Sequence, residues 1–267
     1  MSGRPWRVTS PGEQGIACGM PLSPDPFRHH PGLRGKVKPF ATSYFRTITS
    51  EAVRATLAQT GIAEAFPFHS DAWREALRAE ALEGHQGDLL IFAYGSLIWD
   101  PALDFTEIRR AHAPCHARRF ILVDRLGARG TANAPGLMAA LDEGPGCDGL
   151  VFRIAEHKVE AETEILFRRE MIGPGYHARF IPVVLDGQEV RALSFIADHD
   201  DPLMQADISR EDQIRFAATG AGFLGTSFDY LQSTVEHLAE VGIDDPDASD
   251  LLAAVRAWRA GAGLPPP

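Results

Sequence analysis

Cysteine is scarce in this chain. Three residues, Cys18, Cys115 and Cys147, stand among 267 with no CxxC pair. That count excludes a disulfide framework and fits a reducing compartment. Basic charge is also short: 26 Lys and Arg face 36 Asp and Glu, for a net charge of −10. Phosphate backbones and anionic membranes need Lys and Arg to neutralise them, so neither is an expected partner. No apolar run approaches the roughly 20 residues that span a bilayer. Pro and Gly interrupt the N-terminus throughout, which leaves no signal-peptide apolar region. There is no internal repeat. A cytoplasmic globular protein is the expectation, with 45% hydrophobic and 23% charged residues in the ordinary range.

The pattern along the chain changes twice. Residues 1–45 are rich in Pro, Gly and Arg and lack periodicity. They read as a disordered leader or an over-long start, with Met20 an alternative initiator and His29-His30 part of the leader. Residues 46–87 read as a helical extension. One helix is capped by Ser50 and runs through Thr60 to Gly61; a second, Asp71 to Glu83, is capped by Ser70. From Asp88 strand signals dominate: Leu89–Ala93, Phe120–Asp124, Leu137–Leu141 and Gly149–Ile154. Val159–Met171 has helical spacing. Ala178–Leu185 and Val190–Ala197 flank Asp186-Gly187, a hairpin signal. After Ser209 the chain reads as helix, at about 210–218, 227–241 and 248–260. Strands with one embedded helix, then trailing helices, predict an α+β fold and not repeated βαβ units.

Two features carry chemistry. In Asp88–Pro101 an apolar stretch stops abruptly at Tyr94-Gly95-Ser96-Leu97. That reads as a buried strand breaking into a glycine-permitted turn, whose N–H groups lose their ladder partners. Such a break can face an oxyanion or a carboxylate, although most Gly-Ser turns only reverse the chain. The second feature is Glu170. At about 100° per residue it continues the stripe of Val159, Thr163, Leu166 and Phe167, while Glu164, Arg168 and Arg169 point elsewhere. An inward carboxylate at a helix C-terminus has its pKa raised by burial and by the dipole, toward that of a general base. Pairing with a nearby arginine is the bland alternative.

Other patterns point to less. Gly220-Ala221-Gly222-Phe223-Leu224-Gly225 is a literal GxGxxG, but a helical segment precedes it and no strand follows. It reads as a flexible helix–helix loop, not a dinucleotide site. Cys115 between His112 and His116 reads as a free thiol, and His199-Asp200-Asp201 as a solvated loop without metal-ligand spacing. Tyr230 reads as core packing.

The motif Phe92-Ala93-Tyr94-Gly95-Ser96-Leu97-Ile98-Trp99 resembles the YGSL signature of the ChaC-type gamma-glutamylcyclotransferases. Arg118-Arg119-Phe120, Arg129-Gly130-Thr131, Pro135-Gly136-Leu137, Arg169-Glu170-Met171 and Asp229-Tyr230-Leu231 follow in the family's order. The resemblance spans about residues 88–260, within a catalytic domain expected over 88–262. It implies a small closed β-barrel surrounded by helices, and a lyase that converts glutathione to 5-oxoproline and cysteinylglycine. It implies Glu170 as acid/base, and Tyr94, Gly95, Ser96, Leu97, Tyr176 and Tyr230 as substrate-binding. No metal or other cofactor is implied, and a monomer acting on a small molecule is expected. Two departures stand out: Ser227 replaces the family's Asn, and Phe180 replaces a frequent Trp, so altered affinity or pocket shape is expected. Another γ-glutamyl amine as substrate, or a non-catalytic regulator of the same fold, remains an alternative.

Overall fold

The computed structural model describes residues 25–59 and 66–264. Seven strands form its main sheet: β1 (Leu89–Ala93), β2 (Glu107–Ala113), β3 (His116–Leu126), β4 (Thr131–Glu143), β5 (Cys147–Ile154), β6 (Tyr176–Leu185) and β7 (Gln188–Ala197). Five of them close into a barrel in the order β1-β5-β2-β6-β7. The ring shuts where Ile91 pairs in parallel with Leu193. The β3–β4 hairpin extends from β7 through a parallel bridge between Leu141 and Ile196. Both faces of β1 are buried, which accounts for its unbroken apolar run. Ile91 packs in one core with Phe152 and Leu193, and Phe92 packs in the other with Val151 and Ile181.

The β6–β7 hairpin turns at Asp186 and Gly187, whose φ values of 52° and 78° are those of the tight mirror-image turn that favours Asp-Gly. Helix α1 (Ser50–Ala58) is capped by Thr49, not Ser50. Its expected end at Thr60-Gly61 lies outside the described residues. Helix α2 (Asp71–Ala81) is capped by Ser70 as expected, its hydroxyl accepting from Trp73 N–H. Helix α3 (Val159–Glu170) connects β5 to β6, and α4 (Arg210–Thr219), α5 (Ser227–Glu240) and α6 (Pro246–Gly261) complete the chain.

Three expectations are corrected. Residues 25–45 are not a loose leader: they run in short 3₁₀ turns over the barrel, with Leu33 and Val37 buried in its core. His29 and His30 belong to this packing, one beside Glu107 and the other accepting from Arg110 N–H. Residues 1–24, the rest of that expectation, lie outside the described residues. The GxGxxG loop is a small hairpin, β8 (Ala221–Gly222) with β9 (Gly225–Thr226). Its glycines serve contact, not a phosphate: Phe223 and Leu224 N–H donate to Gly127 and Ala128 carbonyls. A Cβ on Gly222 would lie 2.2 Å from Gly127 O. Strand β2 had no apolar signal, because charged residues occupy Glu107, Arg109 and Arg110.

Candidate active site

Strand β1 ends at Ala93, and Tyr94-Gly95 leads into one 3₁₀ turn, Ser96–Ile98. Gly95 and Ser96 carbonyls accept from Ile98 and Asp100 N–H at 2.9 and 3.0 Å. The N–H groups of Gly95, Ser96 and Leu97 donate to no acceptor among the described residues. Gly95 has a steric role, since a Cβ there would lie 2.7 Å from Tyr230 Oη.

Helix α3 ends at Glu170, whose side chain is 16% exposed. The structure brings Glu170, Tyr94, Gly95, Ser96, Leu97, Tyr176 and Tyr230 to the wall of one cavity of about 30 Å³, which Ala139 and Phe195 complete. Tyr94 Oη donates to Phe195 O at 2.8 Å, and Tyr230 Oη accepts from Ala139 N–H at 3.3 Å. Burial pushes all three phenols above their usual range; neighbouring acidic groups add to this at Tyr94 and Tyr176, while the Arg129 charge partly opposes it at Tyr230. They are therefore neutral hydroxyls at physiological pH.

Burial lifts the Glu170 carboxyl above the ordinary glutamate value, and the adjacent Arg169 guanidinium partly opposes the lift. Arg169 is thus a correction. It does not point away from the site: its Nε lies 2.8 Å from Glu170 Oε1. The same guanidinium donates to Asp100 O and, at 2.9 Å, to Ser96 Oγ. Phe45 covers it, with 4.0 Å between Arg169 Cζ and the ring centroid. Helical spacing misses this, because a long arginine side chain wraps around its own helix. Arg118, from the resemblance motifs, buries beneath the turn and donates to Tyr94 O at 2.6 Å.

Neither departure residue reaches the cavity wall. Ser227 is fully buried. Its hydroxyl accepts from Leu137 N–H at 2.8 Å and donates to Arg129 O at 3.1 Å. Phe180 stacks on His85 under the Arg191 guanidinium. Cys115 is exposed, while His112 pairs with Asp148 at 2.9 Å. His199 pairs with Asp142, and the described residues hold no His/Cys/Asp/Glu cluster suited to a metal.

A second, larger cavity of about 570 Å³ adjoins the first and shares Ser96 with it. Lys36, Lys38 and Phe45 from the N-terminal segment form one wall, and Arg129, Phe223 and Leu224 form another.

The chain matches known proteins over the barrel and trailing helices. It is 39% identical over 173 residues to the glutathione-specific gamma-glutamylcyclotransferase of Escherichia coli K12, covering 64% of this chain and 74% of that protein. It is 28% identical over 188 residues to glutathione-specific gamma-glutamylcyclotransferase 1 of Danio rerio, covering 68% and 95%. The crystal structure of a yeast gamma-glutamylcyclotransferase specific to glutathione superposes with a TM-score of 0.61 at 20% identity. That match covers 66% of this chain and 99% of the yeast chain. The model of the ChaC-like protein family matches residues 89–258, and the chain belongs to that family.

Proposed function

We propose that this protein is a glutathione-specific gamma-glutamylcyclotransferase with its active site at the Tyr94–Leu97 turn. The observation that carries the reading is the largely buried Glu170 carboxylate, which shares a narrow cavity with Gly95, Ser96 and Leu97, whose backbone N–H groups have no acceptor among the described residues. The reaction is an internal acyl transfer. The α-amine of the γ-glutamyl group attacks its own γ-carbonyl, the C–N bond to cysteinylglycine breaks, and the five-membered lactam 5-oxoproline remains.

The nucleophile is tethered, so the cavity's first task is to fold the substrate into a reactive conformer. Glu170 takes one proton from the α-ammonium and passes it to solvent, which frees the amine to attack. It then carries a second proton from the attacking nitrogen to the leaving nitrogen as the tetrahedral intermediate collapses. Its raised pKa suits both roles. Gly95, Ser96 and Leu97 N–H hold the α-carboxylate or the developing oxyanion, and each oxyanion donor is worth about 3 kcal/mol. Tyr94, Tyr176 and Tyr230 wall the site with neutral hydroxyls. Arg169 orients Glu170 and ties it to the turn through Ser96. None of these steps needs a metal or a covalent intermediate. The names of the relatives support glutathione as substrate. Glutathione chemistry in turn supports a cytoplasmic location.

The test is direct. Purified protein with glutathione and a chelator at neutral pH is expected to release 5-oxoproline and cysteinylglycine in equal amounts, followed by mass spectrometry. Glu170→Gln is expected to cut turnover by about 10²- to 10⁴-fold with an unchanged far-UV spectrum. Wild-type turnover in that variant would remove Glu170 as the base. No product from any γ-glutamyl amine would point instead to a non-catalytic protein.

A further inference from the structure

The Glu170 cavity, at about 30 Å³, is far too small for a tripeptide. Ser96 lines both this cavity and the 570 Å³ groove, so the groove is the space available to the rest of such a substrate. The groove carries three permanent cations of unequal status. Lys36 is paired with Glu240 and Lys38 with Asp100. Arg129 has no carboxylate partner among the described residues: one guanidinium nitrogen donates to Thr226 O at 3.0 Å, and the group lies over the Tyr230 ring at 5.0 Å. Burial pushes its pKa down, and the charges of Asp229 and Asp124, neither of them ion-paired with it, only partly offset that cost. A charge taken out of water in this way is stabilised when an anion arrives.

The backbone around Arg129 is fixed on both sides. Asp124, itself buried, accepts from the N–H groups of Leu126, Arg129 and Gly130. Ser227 Oγ donates to Arg129 O. The side chain is thus held at the junction of the groove with the Tyr230 wall.

We infer that the groove is the subsite for the leaving dipeptide and that Arg129 binds that dipeptide's terminal carboxylate. The inference rests on the cyclotransferase reading above. It assigns glutathione's two carboxylates to different places: the γ-glutamyl α-carboxylate to the Tyr94–Leu97 turn, and the glycine carboxylate to Arg129. Discrimination against γ-glutamyl amines without that carboxylate follows.

The test compares glutathione with its glycine amide on wild type, Arg129→Gln and Arg129→Lys. For wild type, KM for the amide is expected to exceed KM for glutathione by about ten- to a hundredfold, the worth of a hydrogen bond to a charged group. Arg129→Gln should raise KM for glutathione toward the amide's value and should change KM for the amide far less, so that the preference between the two substrates collapses. Arg129→Lys should restore part of the preference. An equal penalty on both substrates in Arg129→Gln, or no preference in wild type, would overturn the assignment. If wild type converts neither substrate, the cyclotransferase reading itself has failed. Calorimetric titration with cysteinylglycine and its amide then decides the subsite: an Arg129-dependent preference for the free carboxylate upholds it, and equal binding removes it.

Discussion

Gly95 and Tyr230 approach closely enough that a Cβ at position 95 meets the tyrosine hydroxyl. A methyl group on Gly95 would press on Tyr230 Oη at 2.7 Å but would clear Tyr230 Cζ by 3.8 Å. Gly95→Ala is therefore expected to lower kcat/KM by at least about tenfold, a loss of about 1.4 kcal/mol. Adding Tyr230→Phe removes the clashing oxygen and should recover part of the packing, seen as a Tm closer to wild type than that of either single variant. Glu170 and Arg169 set a pH dependence of known sign. A base must be ionised, so activity falls as pH drops through the Glu170 pKa. Burial puts that pKa above the ordinary glutamate value, and Arg169 holds it down. Arg169→Gln should move the acid limb of kcat/KM to higher pH; a limb that stayed in place or moved lower would separate the two groups. At this scale the sequence was uneven. Glu170 was legible because its neighbours on the α3 stripe, Thr163 and Leu166, are fully buried. The roles of Arg169 and Ser227 were not, because both depend on partners distant in the chain.

The element that periodicity could not foresee is the segment before α1. Its 3₁₀ turns contain no amphipathic repeat, yet specific side chains fasten it to the catalytic elements. Ser43 donates to Asp100 at 2.6 Å. Arg46 grips the buried Glu162 of α3 through both nitrogens, one at 2.8 Å, and Glu162 also accepts from Asp104 N–H. Phe45 then closes over Arg169. Breaking a buried pair from one side leaves an uncompensated charge, so Glu162→Ala is expected to cost about 3–5 kcal/mol in denaturant unfolding. Arg46→Met with Glu162→Met should recover much of that loss. The helices were readable from caps and spacing; β2 was not, because its charged residues, the buried Glu107 among them, fall on both faces and leave neither an apolar run nor a clean alternation.

At the scale of the whole molecule, the order of elements predicted α+β, and the structure is a five-stranded barrel closed by the parallel contact of β1 with β7. Closure joins residues about a hundred positions apart, Ile91 and Leu193, which local pattern does not encode. The matched family region, residues 89–258, supplies the barrel, the turn and Glu170, whereas Lys36, Lys38 and Phe45 come from before it. Under the proposed function, the narrowness of the inner cavity bears on which product forms. An activated γ-glutamyl carbonyl can be captured by its own amine or by solvent. On the proposed function, a γ-glutamyl group packed between Glu170, the Tyr94–Leu97 turn and Tyr176 fills this narrow space and crowds out a hydrolytic water. Free glutamate is therefore expected only in traces beside 5-oxoproline. Carving out the wall with Tyr176→Ala should raise the glutamate fraction, measured by amino-acid analysis of the same reaction. A raised glutamate fraction in that variant would identify the barrel mouth as a steric filter against water, one that favours lactam formation over hydrolysis.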